Sequence, residues 1–328
     1  MRRAWPADRL VSRAELDAAG ITGTELRASY GRCEELTRRH GKTYHLATKL
    51  LPPSRRPAVY ALYGLARHAD EIVDDLDDDR PVAAKAADLA GFAGRFADDL
   101  ATGASTHPVL RAVVHAVGEW RIDPALFPPF FASMAMDLTV DRYATWEDLL
   151  GYVHGSAAVI GLQMLPVLGV TGPDVDLARS GARDLGIAFQ LANFCRDVGE
   201  DLDRSRVYLP EADLARFGLT RADLERRVVD ERVRRLLMFE IARVHALRDA
   251  AARGIAMLDP VSRPCIAAAL SLYCGIADQV AAIDFQVFDA RATVSLPTRL
   301  GVAGRALAER RRAQRRDARW RQVARTDR

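Results

Sequence analysis

Apolar residues recur every three or four positions along most of this chain, and that spacing suits one kind of regular structure. Only an α-helix places positions i, i+3, i+4 and i+7 on one face. The pattern predicts helices over 57–76, 83–101, 108–121, 147–169, 176–203, 221–258 and 262–288. Ala, Leu, Arg and Glu dominate these stretches, and all four lose little rotamer freedom in a helix. Breaks fall at Pro52-Pro53, Gly103, Pro124, Pro128-Pro129, Gly172-Pro173, Pro210, Pro260 and Pro297, where connections are expected. Alternating strand patterns, fixed-period repeats and linkers rich in Gly, Pro or Ser are absent. The expectation is one all-α domain, a helical bundle with weakly ordered ends. At 328 residues it is large enough to bury its own core.

Composition narrows the setting. Hydrophobic residues make up 49% and charged residues 28%, and the mean hydropathy is −0.09, the balance of a globular chain. No apolar run reaches the roughly 18 to 20 residues that a bilayer crossing needs. The basic N-terminus has no apolar stretch behind it, unlike a secretory signal, so a cytoplasmic location is expected. Cys33, Cys195, Cys265 and Cys274 are scattered singly and read as reduced, buried thiols. The net charge of +3 is too small to point to nucleic acid. Its distribution says more: acid gathers between Asp70 and Asp79, and base gathers after Arg305.

Asp70 and Asp74 stand four residues apart at the end of an apolar helical pattern, so their carboxylates share a face. Arg67 and Tyr63 lie one and two turns back on that face. Like charges at this spacing destabilise a helix by a few tenths of a kcal/mol. A hard divalent cation compensates naturally, because magnesium takes carboxylate oxygen and leaves positions for phosphate oxygens. A solvated acidic helix end is the competing reading, and Asp77, Asp78 and Asp79 fit it. A hydrolase site built on His68 and Asp70 would need further histidines, and the 7 present form no paired motif.

A second polar stripe is more specific. Asn193, Asp197 and Asp201 fall at i, i+4 and i+8, with Gln190 one turn earlier, along a helix otherwise made of Leu191, Ala192, Phe194, Cys195 and Val198. Such a stripe is expensive to bury unless it is hydrogen-bonded or bound to a cation. Gly199 weakens the helix by about 1 kcal/mol relative to alanine, so helix stability alone does not explain the segment. Arg204, Arg206 and Tyr208 follow, and Pro210 closes it. Two facing carboxylate pairs can clamp a diphosphate through magnesium and make it a good leaving group.

The pairing of ALYGLARHADEIVDD with QLANFCRDVGEDLDRSRVYLP resembles the squalene and phytoene synthase family, the head-to-head prenyl transferases. The likeness covers roughly 28–305, leaving an N-terminal extension over 1–27 and a basic tail over 306–328. Within the family, MDLTVDRYATWEDLLGYVHGSAAVIGLQMLPVLG looks most like bacterial phytoene synthases of the actinobacterial type. The resemblance implies an isoprenoid synthase fold around a central cavity. It implies Mg2+ or Mn2+ held by Asp70, Asp74, Asn193, Asp197 and Asp201, the aspartates being catalytic. Tyr63, Arg67, Gln190, Arg196, Arg206 and Tyr208 would then bind diphosphate or order the loop over it. Lys42 and Thr43 match the family's flap segment, although the residues alone read as an ordinary loop. Tyr152 matches the aromatic position tied to the cyclopropyl intermediate, and Tyr273 and Arg291 match late positions lining the site.

The implied reaction ionises one geranylgeranyl diphosphate and captures the allylic cation with a second, giving prephytoene diphosphate. This ionises again, rearranges and loses a proton to give phytoene, with no NADPH required. The cavity must then be dry, because water would quench the cations. Gly155, Ala157, Ala158 and Gly161 leave room for a prenyl chain or serve close helix packing. Two positions depart from the family pattern. His154 stands where many relatives carry an aromatic residue, so it could shape the cavity wall or sit as an ordinary helix histidine. Arg299 stands where lysine is usual.

Three alternatives stay open. A squalene or dehydrosqualene synthase would use two farnesyl diphosphates on the same motifs. A terpene cyclase would use one substrate, but its second motif is of another type. A non-catalytic relative would have lost one aspartate pair. From Arg305 onward the basic run reads as a fraying helical tail or as a reversible anchor to anionic lipid, with Trp320 its only strong apolar contact.

Overall fold

The computed structural model describes residues 13–74 and 80–326, with side chains described as far as Arg315 except Gln314. Asp77 to Asp79 and the side chain of Trp320 lie outside the described residues. The first half contains α1 (Arg13–Ala18), α2 (Thr24–His40), α3 (Lys42–Thr48), α4 (Arg56–Asp74), α5 (Val82–Thr102), α6 (Leu110–Trp120) and α7 (Phe127–Met136). The second contains α8 (Trp146–Val153), α9 (Val159–Leu168), α10 (Val175–Arg196), α11 (Val198–Asp203), α12 (Glu211–Arg216), α13 (Arg221–Glu225), α14 (Glu231–Ile255), α15 (Arg263–Ala282) and α16 (Leu296–Thr326). Among the described residues there are no strands, only two isolated bridges. The all-α expectation therefore holds.

The apolar period does the work expected of it. Ala58, Ala61, Leu62, Leu65, Ala69 and Val73 form the buried face of α4, and Ala178, Gly181, Ala188, Leu191, Ala192 and Cys195 form that of α10. One half of the core gathers around Tyr30, Tyr60, Phe96 and Leu110. The other gathers around Leu149, Leu191, Leu236 and Val244.

Several boundaries differ from the sequence reading, each for a local reason. The helix expected over 176–203 breaks at Asp197, whose ψ of 14° leaves the helical range before α11 resumes. The helix expected over 221–258 splits because Arg227 takes a positive φ of 54° and Asp230 caps α14 by accepting from the amides of Arg232 and Val233. Pro128 and Pro129 begin α7 instead of separating helices, since the first turn needs no proline N–H. Pro297 likewise sits at the start of α16. The segment 42–48, an ordinary loop on residues alone, is helix α3.

The stretch expected over 147–169 is continuous but passes through a π-helical turn at His154–Ala158, a device common near functional sites. Here helix backbones touch. A Cβ on Gly155 would stand 2.0 Å from the carbonyl oxygen of Pro129, and one on Gly161 would stand 2.2 Å from that of Ala182. The small residues on this segment thus serve close packing first, while Ala157 and Gly161 also face the cavity described below. His154 is exposed and does not line that cavity.

Both ends of the described chain are tied in. Leu16 and Ile21 are buried in the core, and Glu15 accepts from Lys49 at 3.0 Å and Arg56 at 2.7 Å. Helix α2 begins at Thr24, ahead of the boundary read at 28. Val302 and Ala306 of α16 are buried, and Arg310 donates to the carbonyls of Lys49, Leu50 and Leu51 at 3.4, 3.2 and 3.1 Å. The backbone of the basic tail is helical to Thr326. Two segments, Trp146–Leu168 and Arg263–Ala282, are long and apolar enough to cross a membrane, contrary to the reading that no run qualifies; about half of each is buried against the rest of the protein.

Candidate active site

A cavity of about 250 Å³ lies among α3, α4, α9, α10, α14 and α15. Interiors are normally packed with few voids, so a space this large is a built feature. Its walls are overwhelmingly apolar, among them Leu51, Leu62, Leu165, Leu168, Leu185 and Ile266. On α10 the lining runs from Ala178 to Gln190, a span of about 18 Å at the helical rise of 1.5 Å per residue. Four aromatic rings gather at the polar end. Tyr44 lies 5.8 Å from Tyr63 and 4.8 Å from Tyr273, and Phe189 stacks on Tyr273 at 4.6 Å. Burial pushes the Tyr63 phenol up to about 12.

About two turns beyond Tyr63 and Gln190 stand the first aspartates of the two motifs, Asp70 and Asp197. Arg67 reaches Asp70 at 2.5 Å and Glu71 at 3.2 Å. Asp74 is held from across the site by Arg204 at 2.9 Å and by both terminal nitrogens of Arg206 at 2.7 and 3.2 Å. Arg196 grips Asp197 through Nε at 2.6 Å, and Arg291 reaches Asp197 at 3.3 Å and Glu200 at 2.9 Å. Among the described residues Asp201 has no hydrogen-bond or ion-pair partner for its carboxylate. Burial, and then the neighbouring charge of Asp197, push it up to about 8. Burial also raises Asp70.

The break at Asp197 does not scatter the second motif. The amide of Asp197 donates to the Asn193 carbonyl and that of Asp201 to the Asp197 carbonyl, both at 2.8 Å. The i, i+4, i+8 relation survives through backbone bonding. Gly199 is explained by contact: a Cβ there would stand 2.9 Å from the carbonyl of Val287 and 3.0 Å from the Cα of Phe288. The segment that carries Arg291 can therefore lie directly on α11. The loop after α11 is fixed from its far side, where Arg243 bonds Asp213 at 3.0 Å and the buried Glu240 at 2.7 Å and covers the Trp146 ring at 4.1 Å.

The sequence-derived residues fall into three groups. Tyr63 and Gln190 line the cavity; Arg67, Asp70 and Asp74 on α4 and Asn193, Arg196, Asp197 and Asp201 on α10 and α11 lie further along the same stretches of chain, with Arg206 on Asp74, Arg291 on Asp197 and Tyr273 against Phe189. Lys42 and Thr43 start α3, with Lys42 exposed, and Gly41 just before them lies against the Tyr63 ring. Tyr152 and Tyr208 do not line the cavity. Both hydroxyls donate to Asp137, at 3.0 and 3.1 Å, and Tyr208 stacks on Phe194 at 4.1 Å.

Sequence reasoning missed Tyr44, Phe189 and Asp137, and noted Arg204 without giving it a role. Arg204 and Asp137 lay within quoted motifs, but neither has a periodic partner that would mark it. Among the described residues no three Asp, Glu, His or Cys side chains converge on one point. The donors come instead as separate carboxylates, and the positive charges acting on Asp201, those of Arg204 and Arg206, are not bonded to it.

The squalene/phytoene synthase family description matches residues 37–298. A phytoene synthase from Arthrospira platensis is 36% identical over 277 residues, covering 81% of this chain and 88% of that protein. A 15-cis-phytoene synthase from Synechocystis is 38% identical over 291 residues, covering 83% and 82%. Among solved structures, a dehydrosqualene synthase in complex with ligand aligns with a TM-score of 0.78 at 24% identity, over 87% of this chain and 97% of that one. The squalene synthase HpnC from Alicyclobacillus acidocaldarius aligns at 0.73 and 26% identity, over 82% and 98%.

Two outcomes follow from the carboxylates. Asp70→Ala and Asp197→Ala are each expected to cut turnover on the order of 1,000-fold or more, with an unchanged far-UV circular dichroism spectrum. Retained turnover in either variant would contradict the two-motif site. Asp201 has a folded-state pKa raised above the ordinary 3.8, so its contribution is favourable at low pH and is lost as pH rises toward 8. In chelator, Asp201→Asn should therefore melt at a higher temperature than the parent at pH 8 and close to it at pH 4. A lower melting temperature at pH 8 would show that the Asp201 charge is already compensated.

Proposed function

Because this chain belongs to the squalene/phytoene synthase family, we propose that it joins two geranylgeranyl diphosphates head to head, through prephytoene diphosphate, to phytoene in carotenoid biosynthesis. The observation that carries the reading is an apolar cavity with two aspartate motifs about two helical turns further on from its lining residues Tyr63 of α4 and Gln190 of α10. Prenyl tails belong in the first and diphosphates at the second.

Asp70, Asp74, Asn193, Asp197 and Asp201 would hold Mg2+ or Mn2+. The donor set fits, since magnesium typically takes one or two carboxylates and completes its shell with phosphate oxygen and water. Asp201, whose carboxylate makes no hydrogen bond or ion pair among the described residues, supports the same assignment. Bound there, the cation supplies charge neutralisation that makes diphosphate a better leaving group.

The chain's own residues account for the rest. Arg67, Arg196, Arg204 and Arg206 now pair with the aspartates. When cations take over those carboxylates, the same guanidinium forks are in place for phosphate oxygens, which they fit in bidentate fashion. Gln190 and Tyr63 stand at the boundary between charge and hydrocarbon. The rings of Tyr44, Tyr63, Phe189 and Tyr273 lie where an allylic cation would form on loss of diphosphate, and aromatic faces attract cations. The apolar walls keep water from that cation. Phytoene formation needs no reductant, so no NADPH is assigned.

The product is a long hydrocarbon that must leave into lipid. A cytoplasmic protein resting on the inner face of the cell membrane through its basic tail would serve this, each basic residue contributing about 1 kcal/mol near an anionic surface. Tyr44 at the cavity end and Leu296 and Leu300 at the start of α16 are exposed apolar side chains that support the reading.

With Mg2+ and equal amounts of geranylgeranyl and farnesyl diphosphate, the expected hydrocarbon is phytoene. Dehydrosqualene made from farnesyl diphosphate in its place would overturn the chain-length assignment. In co-sedimentation with vesicles containing phosphatidylglycerol, the full chain is expected to pellet and a form lacking residues 306–328 to remain largely free. Equal binding of the two forms would remove the tail from the account.

A further inference from the structure

Asp137 belongs to neither aspartate motif, yet three groups of the site meet on it. It follows the last turn of α7. Its Oδ2 accepts the Tyr152 hydroxyl at 3.0 Å and its Oδ1 accepts the Tyr208 hydroxyl at 3.1 Å. Its backbone carbonyl accepts Arg206 at 2.8 Å, from the nitrogen that also reaches Asp74 at 2.7 Å. The donors come from different elements: Tyr152 from α8, Tyr208 and Arg206 from the segment after α11.

This convergence is selective. Tyr152, Tyr208 and Tyr143 are neighbours, with ring centroids 5.5 to 6.1 Å apart. Among the described residues the buried hydroxyl of Tyr143 has no hydrogen-bond partner, whereas the other two share one carboxylate. An ionised carboxylate only accepts, so while Asp137 is charged each phenol bonded to it turns its proton toward it; burial pushes Asp137 up to about 7, and the two phenols also bond each other. An unpartnered phenol would have no such fixed direction.

We propose that Asp137 is a positioning residue for the synthase reaction: its carboxylate sets the direction of the Tyr152 and Tyr208 hydroxyls, and its carbonyl holds the Arg206 guanidinium against Asp74. The inference deepens the synthase reading and rests on it. The carbonyl contact is made by main chain, so substitution tests the carboxylate alone. Asparagine in place of Asp137 keeps one acceptor and substitutes a donor, and one of the two phenols must then turn round.

The test measures diphosphate release by the full-length enzyme with Mg2+, on whichever prenyl diphosphate the parent consumes. An error in chain length therefore leaves it intact. Asp137→Asn should lower kcat roughly 10- to 100-fold, as outer partners of site residues commonly do, with KM changed much less and the melting temperature close to the parent. In a Tyr152→Phe, Tyr208→Phe background the same change should cost less than about twofold more, because the groups it acts through are gone. A loss smaller than twofold in the parent background would overturn the proposal, and so would a full second loss in the phenylalanine background. If Asp137→Asn does not fold, the phenylalanine pair decides: full activity without both hydroxyls overturns the proposal, and a comparable fall in kcat upholds it.

Discussion

Carboxylates placed about two turns beyond an apolar cavity must find positive charge, and much of this structure follows from how they find it. Asp74 on α4 is neutralised by arginines 130 and 132 residues further along the chain. That contact fixes α4 relative to the loop after α11. Asp197 is held by its neighbour Arg196 and by Arg291 from the segment before α16. The Arg206–Asp74 and Arg196–Asp197 pairs are partly buried and weakly screened, so they bear on geometry more than surface ion pairs do. Guanidinium groups also suit phosphate oxygens, so in the proposed reading the compensation that holds the chain together would ready it for a diphosphate head group.

The supports lie outside the motifs. Arg243, sandwiched by Trp146, Asp213 and Glu240, ties α12 to α14. With Asp137 it brackets the short segment that bears Arg206 and Tyr208. Val207, Tyr208 and Leu209 anchor that segment in the core, and hydrogen bonds to charged groups set the direction of its polar side chains. Such bonds are shorter and stronger than neutral ones but demanding in direction.

Much of the fold was legible because helix periodicity is a local signal. The buried faces of α4 and α10 follow from spacing alone, and so does the sharing of a face by Asp70 and Asp74. What spacing could not reveal was set by partners distant in sequence. Asp137 has no periodic companion, and its phenols sit 15 and 71 residues away. The break at Asp197 is invisible to an i+4 rule that the backbone bonds still obey. The split at Arg227 depends on one left-handed residue of a type that rarely adopts that conformation. The π turn adds a residue to a helix whose apolar pattern reads straight through it. Lys42 and Thr43 drew notice only through family likeness, since nothing in a Gly-Lys-Thr sequence announces helix α3 or the contact of Gly41 with Tyr63.

The glycine contacts on α9 and α10 have a consequence for inheritance. Where Gly161 meets the carbonyl of Ala182, part of the cavity wall is peptide backbone, which every amino acid shares. Point mutation cannot reshape such a wall gradually, because the first added carbon already collides. Drift toward longer or shorter products would have to enter through side chains elsewhere on the lining, such as Thr48, Leu51, Leu168 and Leu258. In descendants of this chain, one side of the cavity is free to diversify while the other is held still.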